Sequence, residues 1–269
     1  MKLFLCSHFS SVGSLIKEEI ENKKVAFIPT ASLREGYTGY VGSARKLFKK
    51  LGAIVTEIDI STEAYSTIQS VFENADVIYF TGGNSFFLMD QLRKTGADGL
   101  LKKELANGKL MIGESAGAII CAPSIQYIEQ MDEKPEDYSQ EDDAGLDLID
   151  FYVLPHYLTA PFKKVTEKIM TEFSDLNLCP INNRQGIVID GESSNMYGIA
   201  GLQNAYNLRN LSIWHDCIRI NFNLFESFIY STTTETTWTI AVIKHIIRPV
   251  TFWFIPRFMN CDIPTNKIS

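Results

Sequence analysis

Gly113-Glu114-Ser115-Ala116-Gly117 follows the short apolar run Leu110-Met111-Ile112 and leads into Ala118-Ile119-Ile120. A Gly-x-Ser-x-Gly run set directly after a buried strand and directly before a helix has the form of a nucleophile elbow. Its glycines let the backbone turn sharply, so the serine hydroxyl stands above the carboxyl edge of a sheet. The following helix turns its N-terminus toward negative charge that develops there, and the Ala116 N–H is one candidate oxyanion donor. This stretch predicts an α/β protein with Ser115 as its nucleophile.

Working outward, apolar runs of strand length alternate with segments of helical period through the first 120 residues. Residues 3–6, 25–28, 54–58, 77–80 and 110–112 are short, β-branched or aromatic, and bounded by turn residues. Between them, residues 14–21, 39–51, 65–72 and 85–106 (the last broken near Gly96) carry apolar positions three and four apart. That alternation predicts a mostly parallel sheet covered by helices on both faces. Further on, residues 129–147 are acidic and poorly patterned, which predicts a solvated loop or flap. Residues 151–154 read as a strand ending at Pro155-His156, and 162–173 as a helix. Residues 186–189 and 196–199 read as a hairpin around Asp190-Gly191. Beyond Gly201 the alternation stops.

The chain's 269 residues leave room for one substantial domain with an appendage. A net charge of −7 argues against nucleic acid and anionic membranes as partners. Cys6, Cys121, Cys179, Cys217 and Cys261 are widely spaced and odd in number, with no CxxC pair. They suit thiols in a reducing cytosol, with neither a disulfide framework nor a zinc site, so no metal is expected. The opening Met1-Lys2-Leu3-Phe4-Leu5-Cys6 is too short an apolar run for a signal peptide and reads as a first buried strand. Residues 239–255 are interrupted by Lys244, His245, Arg248 and Pro249, a poor membrane span.

A serine nucleophile needs a base, and the chain has only His8, His156, His215 and His245. His156 follows a strand and a proline, at the sheet edge where open α/β folds bind ligands, and is the candidate base. Thr81-Gly82-Gly83-Asn84 follows another buried strand and opens a helix. Its glycines allow backbone N–H groups to approach a substrate carbonyl, with Gly83 the candidate second oxyanion donor and Asn84 the candidate helix cap. The spacing is not GxGxxG, so a dinucleotide site is not expected.

Taken together, Phe80-Thr81-Gly82-Gly83-Asn84-Ser85-Phe86, Gly113-Glu114-Ser115-Ala116-Gly117-Ala118, Leu146-Asp147-Leu148 and Pro155-His156 resemble the peptidase E (aspartyl dipeptidase) family of serine peptidases. The resemblance runs from residue 1 to about residue 201. It implies a three-layer α/β/α sandwich like that of class I glutamine amidotransferases. It also implies cofactor-free hydrolysis of dipeptides or short peptides, beginning with aspartate, in the cytoplasm. Residues 202–269 then form an atypical C-terminal extension, either lineage-specific or the product of an altered reading frame. The partner expected is a small peptide, and the oligomeric state, a homodimer included, is left open.

Two departures from the family pattern stand out. Where the resemblance implies a glutamate as third catalytic residue, Ile181-Asn182-Asn183-Arg184-Gln185-Gly186 places Asn183, which can orient a histidine without stabilising imidazolium by charge. Glu192, and less so Asp190, are the alternative acids. Where the family carries an arginine for the substrate's aspartate, this chain reads Phe162-Lys163-Lys164-Val165-Thr166. Lys163 or Lys164 would supply a cation there without the bidentate fork of arginine. Two other readings stay open. One is an esterase-type hydrolase drawing its acid from Asp142, Asp143, Asp147 or Asp150. The other is a non-catalytic binding protein on the same scaffold, for which Asn183 is the main support.

Overall fold

The computed structural model describes residues 1–191 and 193–198; the extension expected at 202–269, and Glu192, lie outside the described residues. Among the described residues nine strands occur: β1 (Lys2–Cys6), β2 (Lys24–Ile28), β3 (Ile54–Glu57), β4 (Val77–Phe80), β5 (Leu110–Glu114), β6 (Tyr152–Leu154), β7 (Leu178–Pro180), β8 (Gln185–Asp190) and β9 (Ser193–Gly198). Seven form one sheet in the order β3-β2-β4-β5-β1-β8-β9, and β6 pairs with β7 in a second, two-stranded sheet. The first five strands of the large sheet run parallel, while β8 and β9 are antiparallel to their neighbours.

The helices are α1 (Phe9–Val12), α2 (Lys17–Ile20), α3 (Gly39–Lys50), α4 (Tyr65–Asn74), α5 (Ser85–Thr95), α6 (Ala97–Ala106), α7 (Ala116–Ile119) and α8 (Lys163–Glu172). They form the outer layers of an α/β/α sandwich, and the strand sequences explain why both faces are covered. Leu3 and Leu5 of β1, Ala26 and Ile28 of β2, and Ile78 and Phe80 of β4 join one apolar cluster with α4, α5 and α6. The alternate residues Phe4, Cys6, Val25, Phe27, Val77 and Tyr79 join a second cluster with α1 and α3. Strand side chains alternate between faces, so runs that are apolar at every position bury both. On α3, Val41, Ala44, Leu47 and Phe48 form one buried stripe; each large side chain contributes about 1.5–3 kcal/mol by leaving water.

Some segments differ from the sequence expectation. The helix expected at 14–21 begins earlier and is three one-turn pieces, α1, a 3₁₀ turn at Gly13–Ile16, and α2. The break falls at Gly13, a poor helix former, which lies against the Phe9 ring. The acidic segment 129–147 is no free flap. Asp90 of α5, almost fully buried, accepts from Ser139 Oγ at 2.8 Å and Gln140 Nε2 at 2.9 Å. Arg93 donates to Ala144 O at 2.7 Å, and Tyr138 packs edge-on against Phe86. β7 has no counterpart among the strands expected from the sequence.

Parallel register brings the carboxyl ends of β1, β2, β4 and β5 to one edge, where Cys6 pairs with Glu114, Gly113 with Phe80, and Phe80 with Ile28. Ligands bind at this edge in open α/β sheets.

Candidate active site

Ser115 leaves β5 with φ 48° and ψ −104°. A non-glycine residue held there costs about 1–3 kcal/mol. The surroundings enforce it: Ser115 N–H donates to Cys6 O at 2.8 Å, and Ser115 O accepts from Ala118 and Ile119. The sharp turn thus falls on the serine itself and not on its glycines. Gly117 serves a different need, since a Cβ there would meet Phe80 O at 2.7 Å and Phe80 Cβ at 2.8 Å. Only glycine lets the elbow seat on the end of β4. The helix that follows, α7, has four residues. Its dipole is therefore small, and the individual N–H groups matter more than the helix as a whole.

His156 sits just past β6, at φ 58°. Its Nε2 lies 3.0 Å from Ser115 Oγ, and its Nδ1 lies 2.7 Å from Asn183 Oδ1. A carbonyl oxygen only accepts, so Nδ1 carries the proton and donates, leaving Nε2 to accept from the serine hydroxyl. Ser7, at the end of β1, fixes the histidine backbone: His156 N–H donates to Ser7 Oγ at 3.0 Å, and Ser7 Oγ donates to Ile181 O at 3.0 Å. Phe162 stacks on the imidazole with ring centroids 4.9 Å apart. Burial lowers the His156 pKa below its ordinary value; the Asn183 hydrogen bond opposes this and the charge of His8 adds to it. The imidazole is therefore neutral, and able to accept a proton, at neutral pH.

Asn182 shapes the turn instead, its Oδ1 accepting from Arg184 N–H at 2.8 Å and its N–H donating to Gln185 Oε1. Asn183, not its neighbour, faces the histidine. Asp190 pairs in register with Lys2, at the opposite end of β1 from Cys6 and the elbow. Asp142 and Asp143 pair with Arg93 and Lys134. His8 stands at the N-cap position of α1 without a capping side-chain bond to the backbone, and its Nδ1 lies 2.7 Å from Ser11 Oγ. His215 and His245 lie outside the described residues. Lys163 and Lys164, at the start of α8, are exposed.

The Thr81-Gly82-Gly83-Asn84 turn lies against the nucleophile. A Cβ on Gly82 would be 3.2 Å from Ser115 Cβ. Gly83 has φ 133°, and the Ala31 carbonyl occupies the space a side chain would need. The Gly82 N–H donates to Glu114, whereas the N–H groups of Gly83 and Ala116 meet no protein acceptor among the described residues. Asn84 caps α5, its Oδ1 accepting from Phe87 N–H at 2.8 Å.

Glu114, in the sequence only the variable residue of the elbow, ties three strand ends together. Fully buried, it accepts from Phe9 N–H at 2.7 Å, from the Tyr79 hydroxyl and from Gly82 N–H. Burial nevertheless pushes its pKa up to about 7, against the pull of those three donors. Neither Ser7 nor Glu114 carries a local sequence signal for such a role. Among the described residues no group of three or more His, Cys, Asp or Glu is placed to hold a metal ion, and no helix is long and apolar enough to cross a membrane.

The model of peptidase family S51 matches residues 5–197. The uncharacterized peptidase Lmo0363 of Listeria monocytogenes is 45% identical over 194 residues, covering 71% of this chain and 95% of that protein. Peptidase E of Nostoc sp. is 29% identical over 170 residues, covering 59% of this chain and 66% of its own. A crystal structure from Listeria monocytogenes EGD-e, described as a peptidase E protein, superposes with a TM-score of 0.71 at 43% identity. It covers 74% of this chain and 98% of that one.

Proposed function

Because the chain belongs to peptidase family S51, the peptidase E family, we propose that it is a serine peptidase hydrolysing dipeptides or short peptides through Ser115, His156 and Asn183. The observation that carries this reading is the continuous hydrogen-bonded line from Ser115 Oγ to His156 to Asn183, at 3.0 and 2.7 Å. In the proposed reaction His156 Nε2 takes the serine proton as Oγ attacks the peptide carbonyl. The N–H groups of Gly83 and Ala116 receive the oxyanion. The imidazolium then protonates the leaving amine, and water, activated by the same nitrogen, releases the acyl group. Asn183 fixes the tautomer and supplies no countercharge. No step calls on a cofactor.

Aspartate preference is not part of the proposal, since its candidate cations, Lys163 and Lys164, are exposed at the start of α8. Cys6, Cys121 and Cys179 are free and buried, which suits a reducing compartment, and the proposal puts the enzyme in the cytoplasm. The test is labelling with a fluorophosphonate followed by a dipeptide panel. Wild type labels and cleaves, while Ser115→Ala does neither, with turnover lower by on the order of a millionfold. Residual activity within about tenfold of wild type moves the nucleophile elsewhere. Absence of both labelling and cleavage in the wild type instead favours a binding protein.

A further inference from the structure

The nucleophile and its base stand on different sheets. Ser115 follows β5 of the seven-stranded sheet, whereas His156 follows β6 and Asn183 follows β7 of the two-stranded one. Within the small sheet the ladder sets the spacing of base and asparagine. Leu154 pairs with Pro180, Ile181 N–H donates to Leu154 O at 2.9 Å, and Tyr157 N–H donates to Ile181 O at 3.0 Å. Among the described residues no ladder joins the two sheets, so the 3.0 Å from His156 Nε2 to Ser115 Oγ needs another support.

One hydroxyl supplies it. Ser7 lies just past β1, the strand that pairs with β5. Its Oγ accepts from His156 N–H and donates to Ile181 O, two residues before Asn183, both at 3.0 Å. The residue before it, Cys6, accepts from Ser115 N–H at 2.8 Å through its carbonyl. Two consecutive residues at the end of β1 therefore hold the nucleophile, the base and the turn that bears the asparagine. Among the described residues, apart from the contact of His156 with Ser115 itself, the bonds of Ser7 are the only hydrogen bonds from residues 152–183 to the ends of β1 and β5. Ser7 is almost fully buried, so water does not compete for its partners. His156 also needs holding: at φ 58° its backbone lies in a region that residues with a side chain keep only when their surroundings enforce it.

We propose that Ser7 is a positioning residue for the reaction, its hydroxyl tying the base and the asparagine turn of the small sheet to β1 and so setting the distance from His156 to Ser115. The kinetic effect rests on the peptidase reading above; the effect on the imidazole does not. Removing the hydroxyl leaves His156 N–H without its acceptor, while Ile181 O keeps Tyr157 N–H. The base is then free to leave its left-handed conformation, and a misplacement of about 1 Å in a reacting group costs on the order of a hundredfold in rate. Ser7 presents almost no surface to a substrate, so binding is untouched.

The experiment compares wild type, Ser7→Ala, Ser7→Cys and Tyr127→Phe well below their melting points. The probes are alanyl p-nitroanilide hydrolysis and the rate of fluorophosphonate labelling. In Ser7→Ala, kcat and the labelling rate are expected to fall by about tenfold to a hundredfold, with KM within about twofold of wild type. Ser7→Cys keeps a weak donor and acceptor of similar size and is expected to fall between the two; if Ser7→Ala does not fold, it decides alone. Tyr127→Phe cuts a different buried tie to the same strand, the Tyr127 hydroxyl to Val153 O, and leaves kcat unchanged. Full turnover without the Ser7 hydroxyl overturns the proposal. So does a raised KM at constant kcat, or an equal loss in Tyr127→Phe, which would make the effect a general loosening of β6. If wild type neither labels nor cleaves, the peptidase reading fails, and nitrogen NMR of the His156 ring decides the positioning role by itself. One tautomer in wild type, protonated at Nδ1, that becomes mixed in Ser7→Ala and not in Tyr127→Phe supports it. A mixture already in wild type, or none in Ser7→Ala, refutes it.

Discussion

Replacing Asn183 by aspartate changes the charge beside His156 without changing side-chain length, so the 2.7 Å contact with Nδ1 can be kept. In the wild type the base is held below its ordinary pKa by burial, opposed by the neutral Asn183 hydrogen bond. An ionised acceptor makes a hydrogen bond roughly twice as strong as a neutral one, an added stabilisation of imidazolium on the order of 1 kcal/mol. That corresponds to about one pKa unit upward. A base with a higher pKa stays protonated to a higher pH, so the acid limb of kcat/KM moves up by about one unit in Asn183→Asp. Turnover on the plateau is preserved or raised, because the imidazolium formed during reaction gains an ion pair. Asn183→Ala leaves the tautomer unfixed. The loss expected approaches the roughly 10⁴-fold seen when a triad histidine is held in the wrong tautomer. Glu192→Gln leaves both limb and plateau alone. The assay is a pH profile of dipeptide hydrolysis for the four proteins. An unmoved limb in Asn183→Asp, together with full turnover in Asn183→Ala, would refute Asn183 as the orienting residue; damage from Glu192→Gln would transfer the role there.

Two further outcomes concern the scaffold. Gly117→Ala forces a methyl group to 2.7 Å from Phe80 O, and overpacking of this kind costs about 1–3 kcal/mol, seen as a melting point lower by several degrees; an unchanged melting point contradicts the close seating of the elbow on β4. Glu114 has a pKa of about 7 when folded against an ordinary 4.5, so the folded state holds the proton more tightly. Stability is therefore fullest below about pH 4.5 and declines as pH rises through about 7. Asp132 acts in the same direction up to about 6. Glu114→Gln is expected to flatten the upper part of that decline in urea midpoints measured across pH, and identical slopes would show that Glu114 does not titrate in this window.

Much of this protein is determined by its sequence alone, because the signals are local. Continuous apolar runs mark the buried parallel strands β1, β2, β4 and β5 to within a residue or two, since strand burial on both faces needs apolar residues at successive positions. The strand–Gly-x-Ser-x-Gly–helix order marks Ser115, and Pro155-His156 and the Asn183 turn are candidates without any distance being known. Tertiary structure decides what depends on partners far along the chain. β7 is three residues long with no pattern of its own, and exists as a strand because it pairs with β6. Ser7 reaches His156 across 149 positions and Ile181 across 174. Glu114 is an ordinary charged residue until Phe9, Tyr79 and Gly82 close around its carboxylate. Periodicity and turn chemistry fix which face of an element is buried; which groups then meet, and which are left without partners, is settled only when the layers close.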